Sequence, residues 1–337
     1  MSYKRALFEV TVGGTNITPQ LEPVLIGIRV SDKVGTHTDS VDLEVDDTEA
    51  RIILPRKGAK VTVALGWEED GLRNIFTGTV DEVKSTGSRG GGRRLTITAK
   101  GMDTTRKPKE GQQRHWDVTT ISAILSDAAA YAGIPNVDVD PALAGLSRAY
   151  FEMRDESFIH MGERIAREVG GNFRIVGDTA ILSKRNGNYT AFIRAVWGEN
   201  LHHWDIAPQL GRPQFNVTRG RWYDMIGAAW NLADRAIDLD VSALHAFRFA
   251  KPWDFETDQQ TDSDKATSER DQGEGTVSIE GNTGAIPDGL CIVAGTRPGI
   301  DGAYRIETVT HSYTRAGGFV TTLDLKQPQD GAGSDDR

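Results

Sequence analysis

The feature that most constrains this chain is a period of two. In "SVDLEVDD", Val41, Leu43 and Val45 alternate with Asp42, Glu44 and Asp46. "ALFEVTV" sets Phe8, Val10 and Val12 on one side, "KVTVALGW" does the same with Val61, Val63, Leu65 and Trp67, and "RRLTITAK" with Leu95, Ile97 and Ala99. Successive side chains of a strand point to opposite faces, so each segment predicts a strand with one dry and one wet face. Strands at this spacing, joined by Gly-rich turns, predict a small antiparallel barrel or sandwich. The turn "STGSRGGGRR" (85–94) lacks the Lys-Ser/Thr ending of a phosphate loop and no helix follows it. It reads as a hairpin tip, whose Arg89, Arg93 and Arg94 are candidates for contact with an acidic partner surface.

The period changes near residue 117. "DVTTISAILSDAAAYAGIP" has Thr119 or Thr120 as N-cap, an Ala-rich body and a stop at Gly133 and Pro135. "DESFIHMGERIAREVGGNF" (155–173) looks like an active site, with Asp, Glu, Ser and His inside six residues. On a helix, however, Phe158, Met161, Ile165 and Val169 form one stripe, and His160, Glu163, Arg164 and Arg167 fall opposite. The polar cluster then reads as a solvated face with Asp155 or Ser157 as cap. "NFRIVGDTAILSKR" follows as a hairpin turning at Gly177-Asp178.

Strands resume after Thr190. From Asp254 to Glu274 eight acids face two bases with almost no apolar anchors, which predicts a mobile insertion. The last strands echo the first. Residues 58–99 run strand, turn, "FTGTVDEV", Gly-rich tip, "RRLTITA"; residues 289–325 run strand, turn, "IDGAYRIETVTH", Gly-rich tip, "FVTTLDL". This predicts two copies of one unit. The expected fold class is mainly β with an α+β insertion: two related antiparallel β-barrel modules plus a small α+β domain. The expected boundaries are 1–105 for the first barrel, 106–189 for the α+β domain with two helices, and 190–328 for the second barrel, interrupted by the acidic insertion at about 236–275, with a loose tail at 329–337.

The chemistry search singles out no catalytic, cofactor-binding or metal-binding residue. Cys291, the one cysteine, lies in the apolar run "LCIVAG" and reads as a small buried hydrophobe. His202 and His203 are neighbours on a strand and point apart. There is no H-E-x-x-H, G-x-S-x-G, P-loop or dinucleotide fingerprint. A net charge of −9 repels phosphate backbones, no apolar run reaches the length of a membrane helix, and the N-terminus has no signal-peptide core, so neither nucleic-acid nor membrane binding is expected. These exclusions favour a structural or binding protein over an enzyme.

Four stretches carry a resemblance: "IFTGTVDEVK…LTITAKGMD", "HWDVTTISAILSDAAAYAGI", "YFEMRDESFIHMGERIAREVGGNFRIVGDTAILSKR" and "GAYRIETVTHSYTRAGGFVTTLDLKQP". In their order and spacing the chain resembles the late control D family of contractile-tailed phages, the baseplate hub, whose fold also heads type VI secretion spike proteins and occurs in phage-tail-like bacteriocins. The resemblance treats the run from Asp155 to Ile159 as a fold element without a catalytic role. It implies a homotrimer contributing six barrels to a ring, which joins the hexameric tail tube (or a tube initiator) to a trimeric central spike, beside other baseplate proteins. It also implies residence in the virion tail baseplate, or a phage-tail-like particle, assembled in the bacterial host cytoplasm. The chain stops soon after its second barrel, so the spike is expected as a separate chain. A tail-associated peptidoglycan hydrolase is the alternative from another class, and no insertion here is long enough for an inserted lysozyme domain.

Overall fold

The computed structural model describes residues 4–34, 39–50, 52–101, 107–176, 178–185, 191–208, 215–224, 226–237, 243–271, 273–329 and 332–333. The first module contains β1 (Ala6–Val12), β2 (Thr15–Asn16), a short helix α1 (Thr18–Leu21), β3 (Leu25–Lys33), β4 (Ser40–Asp46), β5 (Lys60–Trp67), β6 (Gly71–Ser88) and β7 (Gly92–Lys100). Its strands hydrogen-bond in the order β3-β4-β7-β6-β5-β1-β2, all antiparallel. The alternation works as the sequence demands. Val41, Leu43 and Val45 are fully buried, with Val61, Val63, Leu65, Leu95 and Ile97, in one core. On the other face Thr98 donates to Asp42 (2.6 Å) and Arg94 to Glu44 (2.8 Å). Each buried Val, Leu or Ile contributes about 1.5–3 kcal/mol, so the core outweighs the half-buried Thr98–Asp42 and exposed Arg94–Glu44 pairs. At Gly78 the long strand β6 passes from pairing with β5 to pairing with β7, and a Cβ there would overlap the Lys100 carbonyl. This bend lets the sheet roll over its own core.

The middle unit contains β8 (Gln112–Thr120), α2 (Ile121–Tyr131), β9 (Asn136–Val139), a short helix α3 (Pro141–Ala144), β10 (Ser147–Glu156), α4 (Phe158–Val169), β11 (Gly171–Val176) and β12 (Thr179–Lys184). Thr120 caps α2, accepting from the Ala123 N–H at 3.3 Å. Ser157 caps α4, and Gly170 ends it in the left-handed conformation (φ 65°). The apolar stripe of α4 is buried at Phe158, Met161 and Ile165, where Phe158 meets Phe173 edge-on at 5.6 Å.

The second module contains β13 (Phe192–Val196), β14 (Leu201–Ala207), β15 (Val217–Asp224), β16 (Ala229–Ala236), β17 (Leu244–Ala246), α5 (Asp254–Arg270), β18 (Glu274–Glu280), β19 (Leu290–Ala294), β20 (Gly302–Thr314) and β21 (Gly318–Gln329). Without β15–β17 and α5, its strands run β14-β18-β21-β20-β19-β13. That is the order of the first module with β14 for β3, β18 for β4, β21 for β7, β20 for β6, β19 for β5 and β13 for β1. The likeness extends to register. With the tip pair Ser88–Gly92 set on Thr314–Gly318, both hairpins carry a bulge at the same step, between Val80 and Glu82 in one and Ile306 and Thr308 in the other. A second shared bulge lies between Leu25 and Gly27 in β3 and between Leu201 and His203 in β14. One strand differs: β1 is antiparallel to β5, whereas β13 is parallel to β19. The chain returns from β1 to β3 through β2 and α1, but passes from β13 to β14 in the short turn 197–200.

The mainly β fold with two related antiparallel modules is as expected; what the sequence did not announce is that β20 pairs with β3, so that strands of both modules belong to one 13-stranded sheet. One expectation needs correcting. The acidic run is not a structureless insertion: it contains α5, which packs on a three-stranded sheet, β16-β15-β17. Few apolar residues are needed because threonine methyls serve instead. Thr257 and Thr261 return their hydroxyls to the carbonyls of Trp253 and Thr257 (3.1 and 3.0 Å) and are fully buried. Opposite them is Gly220, where any Cβ would collide with the Thr257 methyl. The acids find cations: Arg235 bonds Asp258 and Asp262 at 2.8 and 2.7 Å. Glu256 accepts from the Ala149 N–H at 3.0 Å, and Gln259 from Arg148 at 2.9 Å, which fixes α5 to the middle unit. The expected loose tail falls largely outside the described residues.

Candidate functional site

The stretch that most resembles an active site is consumed by structure. Ser157 Oγ accepts from the His160 N–H at 3.3 Å, and Asp155 accepts from Gln113 at 2.8 Å. Glu156 holds Arg164 at 2.6 Å, and that guanidinium lies 4.2 Å from the Phe151 ring centre. His160 points to solvent. Burial pushes the Cys291 thiol up to about 12, far from the thiolate a nucleophile needs. Among the described residues no three His, Cys, Asp or Glu side chains gather as a metal site.

What stands out is how strand edges are used. At the seam between the modules, β3 and β20 pair antiparallel from Gly27–Thr314 to Lys33–Thr308. Around it, Lys4 bonds Glu280 at 2.9 Å, the Trp67 indole N–H donates to the Gly281 carbonyl at 2.7 Å, and the rings of Phe8 and Tyr313 approach to 5.0 Å. Two titratable groups are held neutral here. His311, opposite Val30, is pulled down to about 4 by burial, with Nδ1 3.0 Å from the Thr321 hydroxyl. Asp32 is pushed up to about 8 by burial and by the neighbouring Asp39 carboxyl.

Two further edges have the same construction and no partner strand among the described residues. The part of β6 from Glu82 to Ser88 pairs only with β7. From His203 on, β14 pairs only with β18. Their burial shows the missing cover. Ile28 and Val30 of β3 are buried, while their equivalents Trp204 and Ile206 are half-buried. Val309 and His311 of β20 are buried, while their equivalents Val83 and Ser85 are half-buried and exposed. The sequence-predicted arginines lie beside the first edge. Arg89 is at the exposed tip, Arg93 is exposed, and Arg94 is tied to Glu44 of its own module. Sequence reading missed both edges, although Trp204 and Ile206, alternating with His203, Asp205 and Ala207, carry the signal of a strand whose dry face needs cover.

No family model matches the chain. It is similar to the "Probable baseplate hub protein" of Escherichia phage 186, 28% identical over 223 residues, covering 66% of this chain and 55% of that protein. The protein of the same name in Escherichia phage P2 is 28% identical over 176 residues, covering 52% and 44%. The chain thus spans about half the length of the curated relatives it matches. Among solved structures, a tail protein from Neisseria meningitidis MC58 superposes with a TM-score of 0.71 at 16% identity, covering 98% of each chain. The 43 kDa tail protein of prophage MuSo2 from Shewanella oneidensis gives 0.72 at 15% identity, covering 98% and 100%. An E. coli component of the type VI secretion system gives 0.58 at 14% identity, covering 97% and 79%. These structures share the fold. The similarity to phage baseplate hub proteins expected from the four sequence stretches is found in the two phage relatives.

Proposed function

We propose that this chain is a structural, non-enzymatic component of a contractile tail, the baseplate hub. In this reading three copies form a ring that matches a sixfold tail tube on one side and a threefold spike on the other. The single observation that carries it is the duplicated module. A chain holding two units of one strand order and one register offers near-sixfold geometry to one partner and true threefold geometry to another. The hub relatives, the tail-protein folds and the structural use of Asp155, Glu156 and Ser157 support the same reading. Interfaces of this head-to-tail kind close into rings. The hub would act in the particle's baseplate, with Arg89 and Arg93 as contact candidates for neighbouring proteins.

Native mass spectrometry of the purified chain, alone and with a tail-spike protein, tests this. Three chains per particle are expected, either at once or on adding the spike; a stable dimer would contradict the ring. A muramidase assay on the same sample is expected to show no turnover above buffer, and robust hydrolysis would contradict the non-enzymatic reading.

A further inference from the structure

The unit built from β15, β16, β17 and α5 joins the second module at one narrow place. Strand β14 ends at Ala207 and β18 begins at Glu274. Between them Pro208 and Gly273 lie backbone against backbone, so close that a Cβ on Gly273 would overlap the Pro208 carbonyl. Beside this neck Lys326 pairs with Asp271 at 2.9 Å, and farther out α5 leans on the middle unit. Among the described residues, none from 215 to 271 belongs to the three apolar cores or packs against them. The joint with the middle unit is built of hydrogen bonds and ion pairs instead. Ser263 donates to the Arg167 carbonyl (2.5 Å), one of those that α4 leaves unpaired at its end. The Ala149 N–H donates to Glu256 (3.0 Å), Arg148 to Gln259 (2.9 Å) and Arg185 to Thr267 (3.1 Å). Lys251, just before α5, reaches Glu168 at 3.4 Å.

The two sides of α5 are bonded unequally. Glu256, Gln259, Ser263 and Thr267 follow at three- and four-residue steps and form the stripe that meets the middle unit. Thr257, Thr261 and Asp264 form a second stripe toward the unit's own sheet, where Gly220 lies under the threonine methyls and Thr218 donates to Asp264 at 2.7 Å. Arg235 of β16 clamps Asp258 and Asp262 on the same helix. That inner seam is closely packed and paired, whereas the outer joint is incomplete. Arg148 is buried, yet its Nε has no hydrogen-bond partner among the described residues and stands 3.7 Å from Glu168. A partly satisfied buried network gains little by staying closed, because water serves the same groups once it opens. We propose that β15, β16, β17 and α5 form a hinged arm, which swings as one piece about the Pro208–Gly273 neck when its polar joint with the middle unit opens. Polar contacts between parts of one chain leave relative motion as the default. The inference goes beyond the hub reading and needs neither a ring nor a partner.

Ala149 is a reporter placed at the joint. It has no register partner on β8, and its N–H is held by Glu256 of the arm, so its exchange with solvent follows opening of the joint. The test is residue-resolved hydrogen–deuterium exchange on the full chain. In the parent, Ala149 should exchange faster than the amides of the β15–β16 ladder and of the first module's core strands. Protection equal to theirs overturns the hinge. In the double variant Gln259→Ala/Ser263→Ala two joint hydrogen bonds are lost, the stripe facing the sheet is untouched, and alanine favours the helix. Ala149 should then exchange at least about tenfold faster, while the β15–β16 ladder keeps the parent rate. An unchanged Ala149 rate would mean that these bonds do not hold the arm and would overturn the polar joint. Equal acceleration of Ala149 and the ladder would mean that the arm unfolds instead of swinging, which overturns motion as one piece.

Discussion

The β6–β7 hairpin of the first module and the β20–β21 hairpin of the second share tip pairing and bulge, yet bury different chemistry. Position for position, exposed Ser85 beside buried Leu95 in the first corresponds to buried His311 beside buried Thr321 in the second. The backbone plan was kept while the residues followed their surroundings. His311 lies under β3, and its ring must be neutral and hydrogen-bonded to be there. Ser85 has no covering strand among the described residues and is exposed. Environment, more than ancestry of the strand, sets the side chain.

The largest test of this comparison is in the cores. Ile97 and Leu323 occupy equivalent inward positions and both are buried. Replacing either with alanine is expected to cost about 2–5 kcal/mol, read by denaturant unfolding. Because the β3–β20 ladder joins the cores, each variant should shift one common transition of both modules; separated transitions would break the idea of a continuous sheet.

Next comes the pH response of the seam, where two groups act with opposite sign. His311 has a folded pKa of about 4, below the ordinary histidine value of 6.5, so the unfolded chain takes up its proton first. Its contribution is intact above 6.5 and is lost as pH falls toward 4, by up to about 1.4 kcal/mol per pH unit. Asp32, raised from 3.8 to about 8, does the reverse: its contribution is intact below 3.8 and is lost as pH climbs toward 8. Stability curves of His311→Asn and Asp32→Asn against the parent chain should isolate the two slopes. Equal slopes for parent and variant would mean that the group is not held neutral at the seam.

A smaller effect is expected at the exposed Arg94–Glu44 pair, which has no counterpart in the second module, where Val320 and Ser278 take the equivalent positions. Arg94→Ala should change the stability of the isolated chain by less than about 1 kcal/mol, because such pairs are exposed to solvent. A larger loss in thermal unfolding would mean that the first module depends on surface charge in a way the second does not.

Much of this fold was legible in the sequence because it is local. Alternating Val41, Leu43 and Val45 can satisfy a half-buried strand in only one way, and the stripe from Phe158 to Val169 dictates an amphipathic helix with Ser157 at its start. The repeat could be read from the order of strands and tips. The seam could not, since it joins 27–33 to 308–314 and neither strand announces its partner. α5 was misread for a different reason. The rule that order requires apolar anchors overlooks threonines that satisfy their own hydroxyls and bury methyls, and acids matched by Arg235 and by contacts to the middle unit. The candidate site was half legible: Arg89, Arg93 and Arg94 mark the correct hairpin, but its role as an edge emerges only when the second module shows what covers such an edge.

End-on averaged electron micrographs of the assembled particle bear most directly on the whole account. A ring of six nearly alike densities built from three chains is predicted. A ring with any other number of modules, or an open filament of the same units, would contradict it.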